Sequence, residues 1–141
     1  MNSEEIKGFM PHRPPMLLAD EMKLEADGSV CGSYRVRGDE FFLRGHFPGF
    51  PVVPGVVLCE IIAQSAGILV RDKLEEGLLP FFAGMDGVRF RRMVRPGERV
   101  DTRCRLAGRA GMLMKVLGEA RVAGEICAEG TFLIMLGGSG Q

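Results

Sequence analysis

Pro54-Gly55-Val56-Val57-Leu58-Cys59-Glu60-Ile61-Ile62-Ala63-Gln64 is the stretch that decides the fold of this chain. Proline in the first turn of a long proline-free run marks a helix start. The run reaches about Glu76, and Gly77 supplies a stop. As far as Val70 it is apolar on nearly every side, which predicts a helix buried nearly all round. One charged side chain, Glu60, stands between Phe47 and Val70. Carboxylates are almost never fully buried without a partner. In an apolar wall such a group finds a partner or is held protonated.

The segments around this helix read as strands. Ser29–Arg37 alternates, with Val30, Tyr34 and Val36 on an inner face. Leu79–Phe90 is a strand with a bend at Gly84 or Gly87, and Arg99–Arg109 places Val100, Thr102, Cys104 and Leu106 on one side. Met112–Val122 and Glu125–Leu136 follow after turns at 108–111 and 123–124. Consecutive hairpins predict an antiparallel sheet. Toward the N-terminus, Asn2 or Ser3 caps a short helix ended by Gly8, and Met16–Ala19 reads as extended. Prolines at 11, 14 and 15 exclude regular structure between them. The economical packing is α+β: one strongly curved antiparallel sheet wrapped around one long helix. Residues 1–136 form a single domain and 137–141, rich in glycine, a flexible tail. One small sheet hardly covers a helix that is apolar all round, so a second subunit is expected on its far side.

Bulk composition excludes little. Lys plus Arg and Asp plus Glu both number 18, so net charge gives no reason to expect nucleic acid. Charge is uneven, however. Residues 89–109 carry eight arginines against two acids. A solvated strand face is the ordinary meaning of such a run, and a docking patch for an acidic partner or a phosphate is the sharper one. The four cysteines form no C-x-x-C pair and read as reduced, packed thiols, Cys59 included. The acidic start Met1–Glu5 is unlike a secretory leader, and the apolar helix is too short and too polar at Glu60, Gln64 and Ser65 for a membrane span. A cytoplasmic protein without membrane attachment is expected.

His46, in Gly45-His46-Phe47-Pro48-Gly49, is one of two histidines in the chain. A histidine that changes charge near neutrality and an acid in an apolar wall make an acid–base pair. Alone, His46 would be a loop histidine pinning a proline-rich turn. Glu60 has an alternative too, a structural ion pair to Arg44 or Arg13. Gln64, one turn after Glu60 on the same face, orients the carboxylate or is a satisfied core amide. His12, between Pro11 and Arg13, reads as structural.

The sequence His46-Phe47-Pro48-Gly49, then Pro54-Gly55-Val56, then Glu60-Ile61-Ile62-Ala63-Gln64, resembles the active-site signature of the beta-hydroxyacyl-acyl carrier protein dehydratases of bacterial fatty acid synthesis, which have the hot-dog fold. The fourteen-residue step from His46 to Glu60, with Gly55 nine after the histidine, makes the match specific. The segments Pro11-His12-Arg13, Pro15–Leu18, Phe82–Asp86, Arg89–Arg92 and Pro96-Gly97-Glu98 extend it over most of residues 10–100. The resemblance implies dehydration of a (3R)-hydroxyacyl thioester to a trans-2-enoyl thioester. His46 is then the base at C2 and Glu60 the proton donor to the hydroxyl. The Gly55 N–H at the helix N-terminus would receive charge building on the thioester oxygen, and Gln64 would support Glu60. Neither metal nor cofactor is implied beyond the phosphopantetheine thioester that carries the substrate. Acyl carrier protein is the implied partner, and Arg89, Arg91, Arg92 and Arg95 are candidates to dock it. The family also implies a homodimer with His46 and Glu60 of one site on different chains, assembling further as a trimer of dimers. Pro80-Phe81 stands where many members carry a gating tyrosine, and Phe50 and Met93 where lysine and proline are common. Two rival readings are an acyl-CoA thioesterase on the same fold and a non-catalytic acyl or carrier-binding module.

Overall fold

The helix-forming stretch does form one, with an interruption. The computed structural model describes residues 1–138. A first helix, α1 (Ser3–Ile6), is capped by Asn2, whose side chain accepts from the Glu5 N–H while Glu5 returns a bond to the Asn2 N–H. The central helix begins as α2 (Gly55–Ser65), tightens to a 3₁₀ stretch over Ala66–Val70 and ends as α3 (Arg71–Glu75). The reason for the change lies at Ile62. Its carbonyl accepts the Ser65 hydroxyl at 2.7 Å and the Cys104 thiol at 3.3 Å. The Ala66 N–H turns to the Ala63 carbonyl instead, a tighter bond.

Six strands follow the predicted order with two differences. They are β1 (Glu21–Leu24), β2 (Val30–Arg35), β3 (Leu78–Phe90), β4 (Arg99–Ala110), β5 (Leu113–Val122) and β6 (Glu125–Gly138). The extended segment expected at 16–19 is not a strand. The pairing strand is Glu21–Leu24, where Met22 alone points inward and the alternation is too short to read. Second, β6 runs past Leu136: Gly137 and Gly138 pair with Leu79 and Leu78. Residues 137 and 138 of the expected tail are therefore strand, and 139–141 lie outside those described.

The sheet is antiparallel throughout, in the order β1-β2-β4-β5-β6-β3. Its concave face packs on α2. Ile61, Ile62, Val100, Cys104, Val116 and Phe132 are all at most 2% exposed. Gly118 on β5 makes this approach possible, because a Cβ there would overlap the Ile62 side chain. Leu106, expected inside, is exposed, since a bulge between Leu106 and Gly108 ends the inward alternation.

One side of the helix stays uncovered. Val56 is 67% exposed and Glu60 is half-buried. Beside it, β3 is an edge strand that pairs only with β6 and exposes Phe81, Phe82, Met85 and Phe90.

Candidate active site

His46 is held from two directions by one residue. Its backbone carbonyl accepts the Val52 N–H at 2.8 Å, and its ring Nδ1 lies 3.1 Å from the Val52 carbonyl. A carbonyl only accepts, so Nδ1 carries the hydrogen and the neutral ring has its lone pair on Nε2. The proline-rich loop supports this geometry. Phe47 and Phe50 exchange both backbone hydrogen bonds at 2.9 Å, and the Phe47 ring stacks on the imidazole at 4.3 Å.

Gly55 opens α2 directly after Pro54. The N–H groups of Val57 and Leu58 return to the Pro54 carbonyl, at 2.9 and 3.2 Å. Those of Gly55 and Val56 have no acceptor among the described residues, as at any helix start. The lack of a side chain here also lets Phe90 approach closely. A Cβ would sit 2.9 Å from the Phe90 ring.

Glu60, one and a half turns into α2, faces a cavity of about 90 Å³ walled by Met10, Ala63, Val70, Phe82, Met114 and Ile134. Gln64 donates to Glu60 Oε2 at 2.8 Å and to the Met16 carbonyl at 2.7 Å, and its Oε1 accepts the Leu18 N–H at 2.7 Å. With Oε1 taking an N–H, the amide has one orientation, NH₂ toward the carboxylate. Gln64 is 2% exposed, so it is at once a satisfied core amide and the support of Glu60.

Among the described residues neither Arg44 nor Arg13 makes the alternative ion pair with Glu60. Arg13 turns its guanidinium to the carbonyls of Lys7, Met10 and His12. The group that does face Glu60 is His12, with Nε2 3.6 Å from Oε2. Burial holds His12 below the usual histidine range, against the opposing pull of Glu60. Sequence reasoning set this residue aside among the prolines. The available signal was its place in a rigid loop with one free side chain able to reach the helix.

His46 forms no ion-pair contact with Glu60 within the chain. Of the expected site residues, one chain brings Glu60 and Gln64 into hydrogen-bond contact, while His46 is held in the 45–54 loop and Gly55 opens α2 against Phe90 of β3. Among the arginines, Arg92 is bound to Glu98 at 2.6 Å and Glu125 at 2.9 Å, and Arg91 to Glu129 at 3.2 Å. Arg89 donates to the Val88 carbonyl, and Arg95 lies 4.7 Å over the Phe50 ring, next to the His46 loop. Neither of these makes an ion pair among the described residues. No group of three metal-type ligands converges there.

Comparison with known proteins decides the family. Residues 22–130 match the model of the ApeI-like family, described as ApeI dehydratase. Over 138 residues the chain is 40% identical to the 3-hydroxyacyl-[acyl-carrier-protein] dehydratase FabZ of Lactococcus lactis subsp. cremoris, covering 97% of this chain and 96% of that one. The chain belongs to this dehydratase family. A Streptococcus equi subsp. zooepidemicus protein of the same name is 39% identical, with 97% and 99% covered. In fold, the chain is similar to the dehydratase heterocomplex ApeI:P of Xenorhabdus doucetiae, with TM-score 0.81, 21% identity, and 95% and 91% of the two chains covered. It is also similar to a phenylacetic acid degradation-related protein of Ralstonia eutropha, with TM-score 0.65, 25% identity, and 94% and 97% covered. The architecture is the hot-dog fold. No helix among the described residues is long and apolar enough to cross a membrane.

Proposed function

We propose that this chain dehydrates (3R)-3-hydroxyacyl groups carried on acyl carrier protein, giving the trans-2-enoyl thioester in fatty acid biosynthesis. The observation that carries the reading is a ring nitrogen and a carboxylate oxygen that make no hydrogen bond among the described residues. His46, its Nδ1–H given to Val52, offers a bare Nε2. Glu60, which lines the cavity, has Oε2 bonded to Gln64 and no hydrogen bond to Oε1 among the described residues. His46 Nε2 removes the C2 proton. Glu60 Oε1 gives its proton to the C3 hydroxyl, the C3–O bond breaks, and water leaves. Charge passing onto the thioester oxygen is met by the Gly55 N–H and the helix dipole. The elimination is redox-neutral and is written with protein groups alone, the substrate arriving on its phosphopantetheine arm.

The two halves of the site come from different chains of a homodimer. The exposed edge of β3 and the bare stripe from Val56 to Glu60 are the surfaces that a second copy covers, bringing its His46 to Glu60. Carrier docking falls to Arg89 and Arg95 before Arg91 and Arg92, whose charges are already compensated. Four free thiols suit a cytoplasmic setting.

Incubation with carrier-linked 3-hydroxyacyl substrates, followed by ultraviolet absorbance of the conjugated enoyl thioester, tests this. Absorbance without thiol release is the expected result. Release of free thiol instead means a thioesterase, and no turnover by any variant or the native chain means a binding module.

A further inference from the structure

His12 is a half-buried titratable group that the reaction above does not use. Its Nδ1 atom is buried and has no hydrogen-bond partner among the described residues, while Nε2 faces Glu60 Oε2 at 3.6 Å. An orphaned buried nitrogen carries a cost, so its cause is informative. A hydrogen on Nδ1 would find no acceptor, whereas a hydrogen on Nε2 points at a carboxylate. The neutral ring is therefore the Nε2–H form, the opposite of His46. The distance exceeds that of a full hydrogen bond, and such contacts at reactive groups tighten when substrate is bound.

Glu60 Oε2 then sees two donors, Gln64 N–H and His12 N–H. With Oε2 accepting from Gln64 and facing the His12 N–H at 3.6 Å, the transferable proton belongs on Oε1. The His12 ring is not free to drift. Arg13 gathers the loop by donating to the carbonyls of Lys7, Met10 and His12, and Gln64 ties Met16 and Leu18 to α2. No other titratable side chain lines the cavity among the described residues. From β3, β5 and β6 come Phe81, Phe82, Met114 and Ile134, all uncharged. The only further group is the His46 that a second copy would bring.

We propose that His12 is a positioning residue for Glu60. Its Nε2–H fixes the acid proton on Oε1 and stabilises the carboxylate that remains after the proton has gone to the departing hydroxyl. His12 keeps its own proton throughout. The proposal rests on Glu60 being the acid of the reaction.

The test compares native enzyme with His12→Phe, His12→Gln and Glu60→Gln on a carrier-linked 3-hydroxyacyl substrate. In H12F, kcat falls about tenfold with KM within about twofold, the loss of one donor to a charged oxygen at less than ideal distance. H12Q, which keeps an N–H, recovers most of the lost kcat. A folded H12F with native kcat overturns the proposal while leaving Glu60→Gln inactive. An active Glu60→Gln overturns the reading of the acid as well. If H12F does not fold, long-range ¹H–¹⁵N spectra of the native protein decide: hydrogen on Nε2 of His12 and on Nδ1 of His46 is expected, and hydrogen on Nδ1 of His12 refutes it.

Discussion

The two histidines of this chain sit in two proline-rich loops, and the loops use them in opposite ways. The 45–54 loop spends the Nδ1 hydrogen of His46 on its own backbone, at Val52, and leaves Nε2 empty. The 10–18 loop gives Nδ1 of His12 nothing and turns Nε2 to a carboxylate. One ring is arranged to take a proton and the other to hold one. The difference comes from backbone carbonyls, since a single well-placed C=O is enough to choose a tautomer. Exposure does not separate them, since both rings are half-buried; the His46 loop differs in carrying the exposed Phe47 and Phe50.

The sharpest way to break this contrast is to remove each partner of the proton transfer. His46→Ala and Glu60→Gln each lower kcat by about a thousandfold, the usual scale for one acid or base, with folding intact by circular dichroism. Mixing the two inactive proteins after unfolding and refolding restores about a quarter of native activity, because half the dimers are mixed and each has one intact site. No recovery means that both groups act from one chain. Next in size is the tenfold effect of H12F given above. If H12F instead matches H46A in its loss, His12 is itself a proton carrier and the two loops are not opposites.

Gln64 joins the 10–18 loop to the acid, so Gln64→Leu sharpens the comparison by freeing one loop and not the other. It strands the Leu18 N–H and the Met16 carbonyl and costs about 2 kcal/mol, read as a melting temperature lower by about 5 °C. Activity at the His46 side then suffers only through Glu60. Arg95→Glu, beside Phe50, raises KM for the carrier-linked substrate more than for a short thioester mimic. Arg92→Glu breaks the pairs to Glu98 and Glu125, costs about 1 kcal/mol of stability and leaves the ratio of the two KM values unchanged. Equal KM effects of both arginine changes remove Arg95 from carrier docking.

The smallest effect is on stability with pH. Burial lowers the proton affinity of folded His12, so the unfolded chain binds more protons through the ordinary histidine range. Stability is therefore full above that range and declines as pH falls through it. Thermal melts between neutral and mildly acidic pH show the decline in the native chain and a smaller one in H12F.

Much of this architecture was legible in the chain itself. Alternation gave β2, β4, β5 and most of β6, and the Pro54–Gly77 window gave the helix, because a period of two and one of 3.6 are properties of local sequence. The 3₁₀ stretch was not, since it arises when the Cys104 thiol and the Ser65 hydroxyl reach Ile62 from a strand and from within the helix. Four residues of β1 were too few to show a period.

At the candidate site, residue types and the family resemblance nominated His46, Gly55, Glu60 and Gln64, since acid, base and helix start are chemical identities written in the chain. Which nitrogen bears the hydrogen, that Arg13 faces carbonyls and not Glu60, and that His12 does face it were decided only by the tertiary structure. Those facts depend on where distant backbone oxygens end up once the N-terminal loop has folded across the helix, and no local pattern carries that information.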